Sequence, residues 1–503
     1  MKIRKLHKEP PFFKSYLLYR EEQEKEYHFL YSSFLIVIFF DTMPSIHQLK
    51  KRKDIMSNSS IDLLHGSIFK SLSRLAIPIM ATFMIQMAYN LVDMLWIGKL
   101  GASAVAAVGV AGNFMFLSNG LVNMPKAGAQ ALVGQKLGAQ DLKKAAEYAK
   151  NAILITLLFG LAYGCIMVLC KEPLINFFNL TNPKVIQDAT AYLVITCGLV
   201  VFSFYNQTMT GILTSAGYTK ITFQATSTGL FLNLILDPLF IFGFGPIPAL
   251  GVLGAALATV LSQCCVTLIF LYCQRNIPLF QAIHWQTKPN LHQVKALLKI
   301  GFPISLQSML FSSISICIAR LVSGYGDASV AVQKVGTQIE SISWMIADGF
   351  SASLSAFVAQ NYGAKNYLRV SQGYHTGIKI VGIWGIITTI ILIVGAAPIF
   401  QLFIHEPEIL PYGVDYLVIL GFSQLFMCLE IATQGAFNGL GKTIPPSIVS
   451  IVFTSARIPL AILLSSFLGV NGIWWAISIS SMFKGVLLVL WYIHDSKKLI
   501  GVI

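Results

Sequence analysis

Apolar residues run along this chain in blocks of about 20, each closed by a short polar or glycine-containing linker. A helix of that length crosses a hydrocarbon core of roughly 30 Å. Twelve blocks are predicted as helical spans: 74–97, 107–131, 151–170, 190–210, 221–243, 250–273, 297–320, 332–358, 376–397, 412–432, 446–467 and 470–493. Composition agrees: 55% of the 503 residues are hydrophobic and 12% charged, against roughly 25% charged in soluble domains. The expected class is an all-α membrane protein with twelve transmembrane helices.

The net charge of +14 raises the question of a nucleic-acid partner. The basic residues, however, lie in short linkers and in the N-terminal extension, with no aromatic-interleaved basic face, so no nucleic acid is expected. They report topology. Linkers 136–150, 217–220, 274–299, 364–379 and 441–443, with the tail after 493, hold fifteen Lys and Arg, whereas the opposite linkers hold Lys99, Lys171 and Lys184. The positive-inside rule then places both termini in the cytoplasm and the spans in the inner (plasma) membrane. All eight cysteines fall in predicted helices without zinc or disulfide spacing.

Residues 1–65 read as a separate extension. Met1 to Glu26 is highly charged, and the apolar stretch Phe29 to Phe40 is about half a span, without a small-residue cleavage site. The expectation is a disordered segment, or a start placed too far upstream of a working start near Met43 or Met56. An interfacial segment lying on the membrane is the alternative.

Shifting the sequence by 225 residues exposes an internal repeat. Pro78 falls on Pro303, Gly101 on Gly326, Ser118 on Ser343, Gln135 on Gln360 and Gly138 on Gly363. At a shift of 224, Tyr192 to Ile195 recurs as Tyr416 to Ile419, and Gly211 and Gly217 fall on Gly435 and Gly441. Six helices per half is an even number, so the halves share an orientation. The expected architecture is two pseudo-symmetric six-helix lobes around a central cavity: an N-lobe at 66–275, a cytoplasmic loop at 276–296, a C-lobe at 297–495 and a tail at 496–503.

Acids inside a membrane are costly and mark ion or substrate paths. Asp93 lies in the first span and Asp237 in the fifth, with Asn233 one turn before Asp237. Gln86, Tyr89 and Asp93 form one stripe. The repeat supplies a control, because Asp93 corresponds to Ile318, Asn233 to Thr454, Asp237 to Ile458 and Thr259 to Ile477. The second half is apolar at the positions where the first is acidic, which favours a specialised site in the N-lobe. The competing reading is structural: Asp237 capping the helix interrupted by Pro238, and Asp93 bonding a neighbouring backbone or a distant lysine. Glu340, Asp348, Glu430, Arg457, Lys126 and Lys334 also lie within or near spans, as substrate contacts, lobe-bridging pairs or snorkelling ends. The nearest approach to a phosphate cradle, G435AFNGLGKT443, has Ala436 where a P-loop needs glycine. Without a nucleotide site, energy must come from an ion gradient or the substrate's own.

Together, Pro78, Y89NxxD93, G98xxG101, G134QxxGA139, N233xxxD237P238 and G251VxGAAxAT259 resemble the multidrug and toxic compound extrusion (MATE) family over about residues 66–495, in its DinF-like branch. The resemblance implies twelve helices in two lobes, alternating access, and efflux of cationic or amphiphilic organic compounds in exchange for Na⁺ or H⁺. It implies a cation-coupling site at Asp93, Asn233, Asp237 and Thr259, able to hold Na⁺, with Gln86, Tyr89 and Tyr192 around it. The C-lobe acids of NorM-like members fall on Phe311 and Leu420 here. It also implies a monomeric transporter in the lipid bilayer, with no enzymatic activity and no cofactor beyond the coupling ion. A lipid-linked precursor flippase is the alternative within the superfamily, and a channel or membrane scaffold the alternative outside it.

Overall fold

The fold is described from a computed structural model over residues 60–500, without 179 and 247. Most of the N-terminal extension, including residues 29–40, and the last residues 501–503 lie outside the described residues.

The first half comprises α1 (Ile68–Lys99), α2 (Ala102–Gly138), α3 (Leu142–Leu169), α4 (Lys171–Asn176), α5 (Pro183–Gly198), α6 (Val201–Ser215), α7 (Thr219–Phe242) and α8 (Val252–Gln274). A linker bearing α9 (Pro278–Gln281) leads to the second half: α10 (Leu291–Ser323), α11 (Asp327–Gly363), α12 (Tyr367–Val394), α13 (Ala396–Gln401), α14 (Leu410–Gly421), α15 (Gln424–Gly439), α16 (Ile444–Ser455), α17 (Arg457–Leu468) and α18 (Val470–Ile500). Among the described residues, ten helices are long and apolar enough to cross a membrane, with α16 and α17 counted as one span, and the bent pairs α5–α6 and α14–α15 bring the number to as many as twelve.

Those bends are the main departure from the straight spans expected at 190–210 and 412–432. They measure 43° and 46°, and no proline lies at either break. Each break directly follows a glycine, Gly198 or Gly421, that ends the first helix of the pair. A Cβ on Gly160 of α3 would stand 2.9 Å from Val201 Cα, and one on Gly385 of α12 would stand 2.8 Å from Leu425 Cα. Gly160 and Gly385 thus let the backbone beyond each bend press against the neighbouring helix.

The repeat is written into the backbone. Gly101 and Gly326, which start α2 and α11, have φ of 102° and 97°, a region closed to side chains with a Cβ. Even the non-glycine residues with positive φ are equivalent: Gln140 at 58° and Lys365 at 60°. Asp141 and Asn366 follow them, and each side chain caps a helix by accepting from the backbone N–H of Lys144 and Arg369. The short helices α4 and α13 also occupy equivalent positions.

Each half has its own apolar core, one built from Ile97 to Ala256 and the other from Ile314 to Ala476. A third cluster joins Leu63, Leu72 and Leu75 to second-half residues from Leu354 to Tyr492. The foot of α1 is therefore seated in the opposite half. α10 does the reverse, since Ser305 Oγ donates to Gly120 O at 2.6 Å and Gly301 packs on Met124.

The halves meet at one end. Gln135 Nε2 donates to Gly439 O at 3.0 Å, and its equivalent Gln360 donates to Ser215 O at 2.7 Å. Ser215 and Gly439 are themselves equivalent at the shift of 224. Gly138 lies against the Gln360 carbonyl and Gly363 against the Gln135 carbonyl, so each half inserts a glutamine into the other. Residues 102–119 of α2 and 310–323 of α10, beyond Gly120 and Met309, make none of these described hydrogen bonds or close glycine contacts. The halves close at the 135–142 end, and farther along α1 and α11 a described contact between them is Ser341 Oγ with Met87 Sδ at 3.9 Å.

Candidate functional site

α7 presents Asn233 and Asp237 one turn apart, and Asn233 Nδ2 donates to Asp237 Oδ1 at 2.7 Å. Asp237 is 0% exposed and Asn233 4%. Asp93 of α1 faces Asp237 closely enough for the two carboxyl groups to interact directly. Two ionised carboxylates are both acceptors, so neither can donate to the other. Among the described residues, no group donates a hydrogen bond to Asp237 Oδ2.

Tyr89 from α1 and Tyr192 from α5 reach the Thr259 hydroxyl of α8, and both also lie in the field of Asp93 and Asp237. Thr259 donates its own hydrogen to Ala255 O at 3.0 Å, which leaves its oxygen as an acceptor toward the tyrosines. Six of the seven expected side chains thus come together. Gln86, the seventh, is exposed and makes no described hydrogen bond. The donor set of carboxylate, amide and hydroxyl oxygens is of the kind that hard cations take. Among the described residues, no Lys, Arg or His acts on either carboxyl group.

The second half is apolar where the first carries its two acids: Ile318 is 3% exposed, and Ile458 packs against the same core. It holds a different buried polar cluster, which shares with the first-half site only the position of Tyr416, the equivalent of Tyr192. Glu340 accepts from Gln424 Nε2 at 3.2 Å and contacts the Tyr416 hydroxyl, which pairs with Thr337 at 3.1 Å. Glu430 pairs with Lys484 at 3.1 Å, both about 5% exposed. Arg457 donates to Ser480 at 2.7 Å and Ser481 at 2.9 Å, within the field of both glutamates. Two acids meet two cations, so this cluster balances its own charge. Lys484, Tyr416 and Gln424 escaped the sequence reading, although Tyr416 carries a signal as the repeat partner of Tyr192.

The chain matches the MatE family twice, over 78–239 and 303–463. The chain belongs to the MatE family. The two matches start 225 residues apart and end 224 apart, the offsets already visible in the glycines and prolines. A probable multidrug resistance protein NorM from Thermotoga maritima is 27% identical over 430 residues, covering 85% of this chain and 92% of that protein. An FAD transporter from Shewanella oneidensis is 25% identical, covering 84% and 94%. Among solved structures, an outward-facing multidrug resistance MATE transporter of the MOP superfamily superposes with a TM-score of 0.81 at 24% identity, covering 88% of this chain and 99% of the other. A MOP superfamily transporter from Pyrococcus furiosus superposes equally well at 23% identity. This member of the MatE family is accordingly a multi-span membrane transporter and not an enzyme.

Proposed function

We propose that this transporter is a secondary active exporter of drug-like organic molecules, driven by exchange with Na⁺ or H⁺, and that Asp93 and Asp237 form its coupling site with Asn233 and Thr259. The observation that carries this reading is the uncompensated carboxyl pair. Two carboxylates in a low-dielectric site repel unless a proton or small cation joins them. The glutamates of the second half have Arg457 and Lys484 for that purpose, whereas Asp93 and Asp237 have only neutral donors.

Ion binding biases the cycle by holding one conformation better than the other. α1 is the element that can respond. Its far end carries Asp93, its foot is seated in the opposite half, and Pro78 removes one of its backbone hydrogen bonds. Lys and Arg crowd the linkers at the closed end, which supports a cytoplasmic closed end and a cleft open to the outside. Relatives named for multidrug resistance and the MATE fold support organic export.

The test is gradient-driven dye transport by purified protein in vesicles. Asp93→Asn and Asp237→Asn are each expected to lower coupled transport by roughly tenfold or more, a loss above about 1.4 kcal/mol. Ile318→Asn and Ile458→Asn, at the equivalent positions, are expected to retain ion-driven transport. Wild-type rates in both aspartate variants at equal protein levels would overturn the assignment.

A further inference from the structure

The linker between the halves folds over the first turns of α3 and encloses with them a cavity of about 320 Å³. Its walls include Lys143, Glu147 and Lys150 of α3, Lys288 of the linker and Gln293 of α10. Lys150 builds the cavity. Its side chain is 3% exposed, and its Nζ donates to His284 O at 3.4 Å, Thr287 O at 2.9 Å and Thr287 Oγ1 at 2.6 Å. All three acceptors are neutral, so these bonds hold the linker down while the buried positive charge keeps no counter-ion.

The acid in the wall is engaged by amides instead. Glu147 Oε2 accepts from Gln293 Nε2 at 2.7 Å, and Gln293 Oε1 accepts from Asn151 Nδ2 at 2.7 Å. The described ion pairs are Asp62–His65, Asp141–Lys144, Asp495–Lys442 and Glu430–Lys484, and none includes Lys143, Lys150 or Lys288. Lys143 and Lys288 are exposed, and neither side chain makes a described hydrogen bond. The cavity thus gathers three lysines from two walls around one carboxylate. That excess suits an anion with several acceptor oxygens, and phosphate is the group that ammonium ions commonly hold.

The surroundings identify the source of the phosphate. Trp285 is 53% exposed and Leu291 79%, each directly beside a residue that lines the cavity, and Leu142, next to Lys143, is 39% exposed. Tryptophan beside a span end sits at the level of lipid headgroups. Basic pockets at that level take anionic headgroups. We propose that this cavity is a phosphate site that takes the headgroup of an anionic phospholipid, held by Lys143 and Lys288 over the buried charge of Lys150. Such a lipid would tether the linker between the halves to the membrane surface, whatever ion drives transport.

Native mass spectrometry of the purified protein in detergent, titrated with phosphatidylglycerol or phosphatidylcholine, reads the bound lipid directly. Both lipids carry a phosphate, but choline cancels its charge. Wild type is expected to bind the first phosphatidylglycerol roughly tenfold more tightly than phosphatidylcholine, within what two lysines near a membrane contribute. Lys143→Gln/Lys288→Gln should bring that ratio to about one, and Lys143→Arg/Lys288→Arg should keep it. Lys295→Gln/Lys299→Gln removes the same charge from exposed positions on α10 outside the cavity and should also keep it. Gel filtration and melting identify any variant that fails to fold; should the glutamine pair do so, Lys288→Gln alone is expected to lower the ratio by roughly threefold. Competition with inorganic phosphate separates the sources: retention of the lipid supports the headgroup, and its displacement supports the same phosphate site with a soluble ligand. A wild-type ratio near one, a ratio that survives the glutamine substitutions in the cavity, or an equal loss in Lys295→Gln/Lys299→Gln overturns the proposal.

Discussion

Buried carboxyl groups in this protein have two environments, and the difference predicts opposite responses to substitution. Glu430 is held by Lys484 at 3.1 Å, so Lys484→Met leaves a buried charge without a partner. Breaking such a pair costs about 3–5 kcal/mol, whereas replacing both members with apolar residues of similar volume is often close to neutral. Thermal unfolding in detergent should show a clear drop for Lys484→Met and recovery of most of it in Glu430→Leu/Lys484→Met. A double variant no more stable than the single would show that the pair does more than neutralise itself. Asp237 has no cation to lose. Asp237→Asn removes a charge that only a bound ion or proton compensates, so its penalty should fall on ion coupling instead of on melting temperature.

At the scale of helices, the closed end depends on the glutamine exchange. Gly138 and Gly363 each lie under a backbone carbonyl of the other half, where a larger side chain prevents approach. Gly363→Val is therefore expected to favour the state open at that end. A cysteine placed at Ser215, 0% exposed here, reports it: maleimide labelling should rise by roughly tenfold, within the usual range of coupling between two states. Unchanged labelling would mean that the glycine contact does not hold the end shut. These glycines and glutamines were legible in the sequence because backbone contact tolerates few residue types, so the repeat shows through an otherwise interchangeable apolar background. Asp93 and Asp237 were legible because acids in a span are rare and costly. The bends at α5–α6 and α14–α15 were not, since Gly198 and Gly421 at the breaks are two among many glycines in the spans, and their packing partners' glycines, Gly160 and Gly385, lie far along the chain. Nor was the Glu430–Lys484 pair, whose partners are brought together only by the packing of α15 on α18. Gln86 shares the helical stripe of Asp93 and is exposed.

For the whole molecule, the geometry makes the closed end a gate, and a reversible lock across it tests alternating access directly. A Cβ built on Gly134 lies 2.8 Å from Ala359 Cβ, and a disulfide needs about 3.5–4.5 Å, so a slight parting of α2 from α11 accommodates a bridge. The eight native cysteines, three of them exposed, would first be replaced by alanine or serine. In that background Gly134→Cys/Ala359→Cys should transport dye when reduced, stop when oxidised and recover with dithiothreitol. Ligand binding from the cleft should survive oxidation, because the open end is untouched. A channel would respond differently, since fixing one pair of helices need not interrupt flow through a continuous path. Full transport by a completely cross-linked protein would show that the substrate does not pass where the two halves exchange their glutamines. Arrest without loss of binding would place the gate between Gln135 and Gln360, with the carboxyl pair on α1 and α7 setting how often it opens.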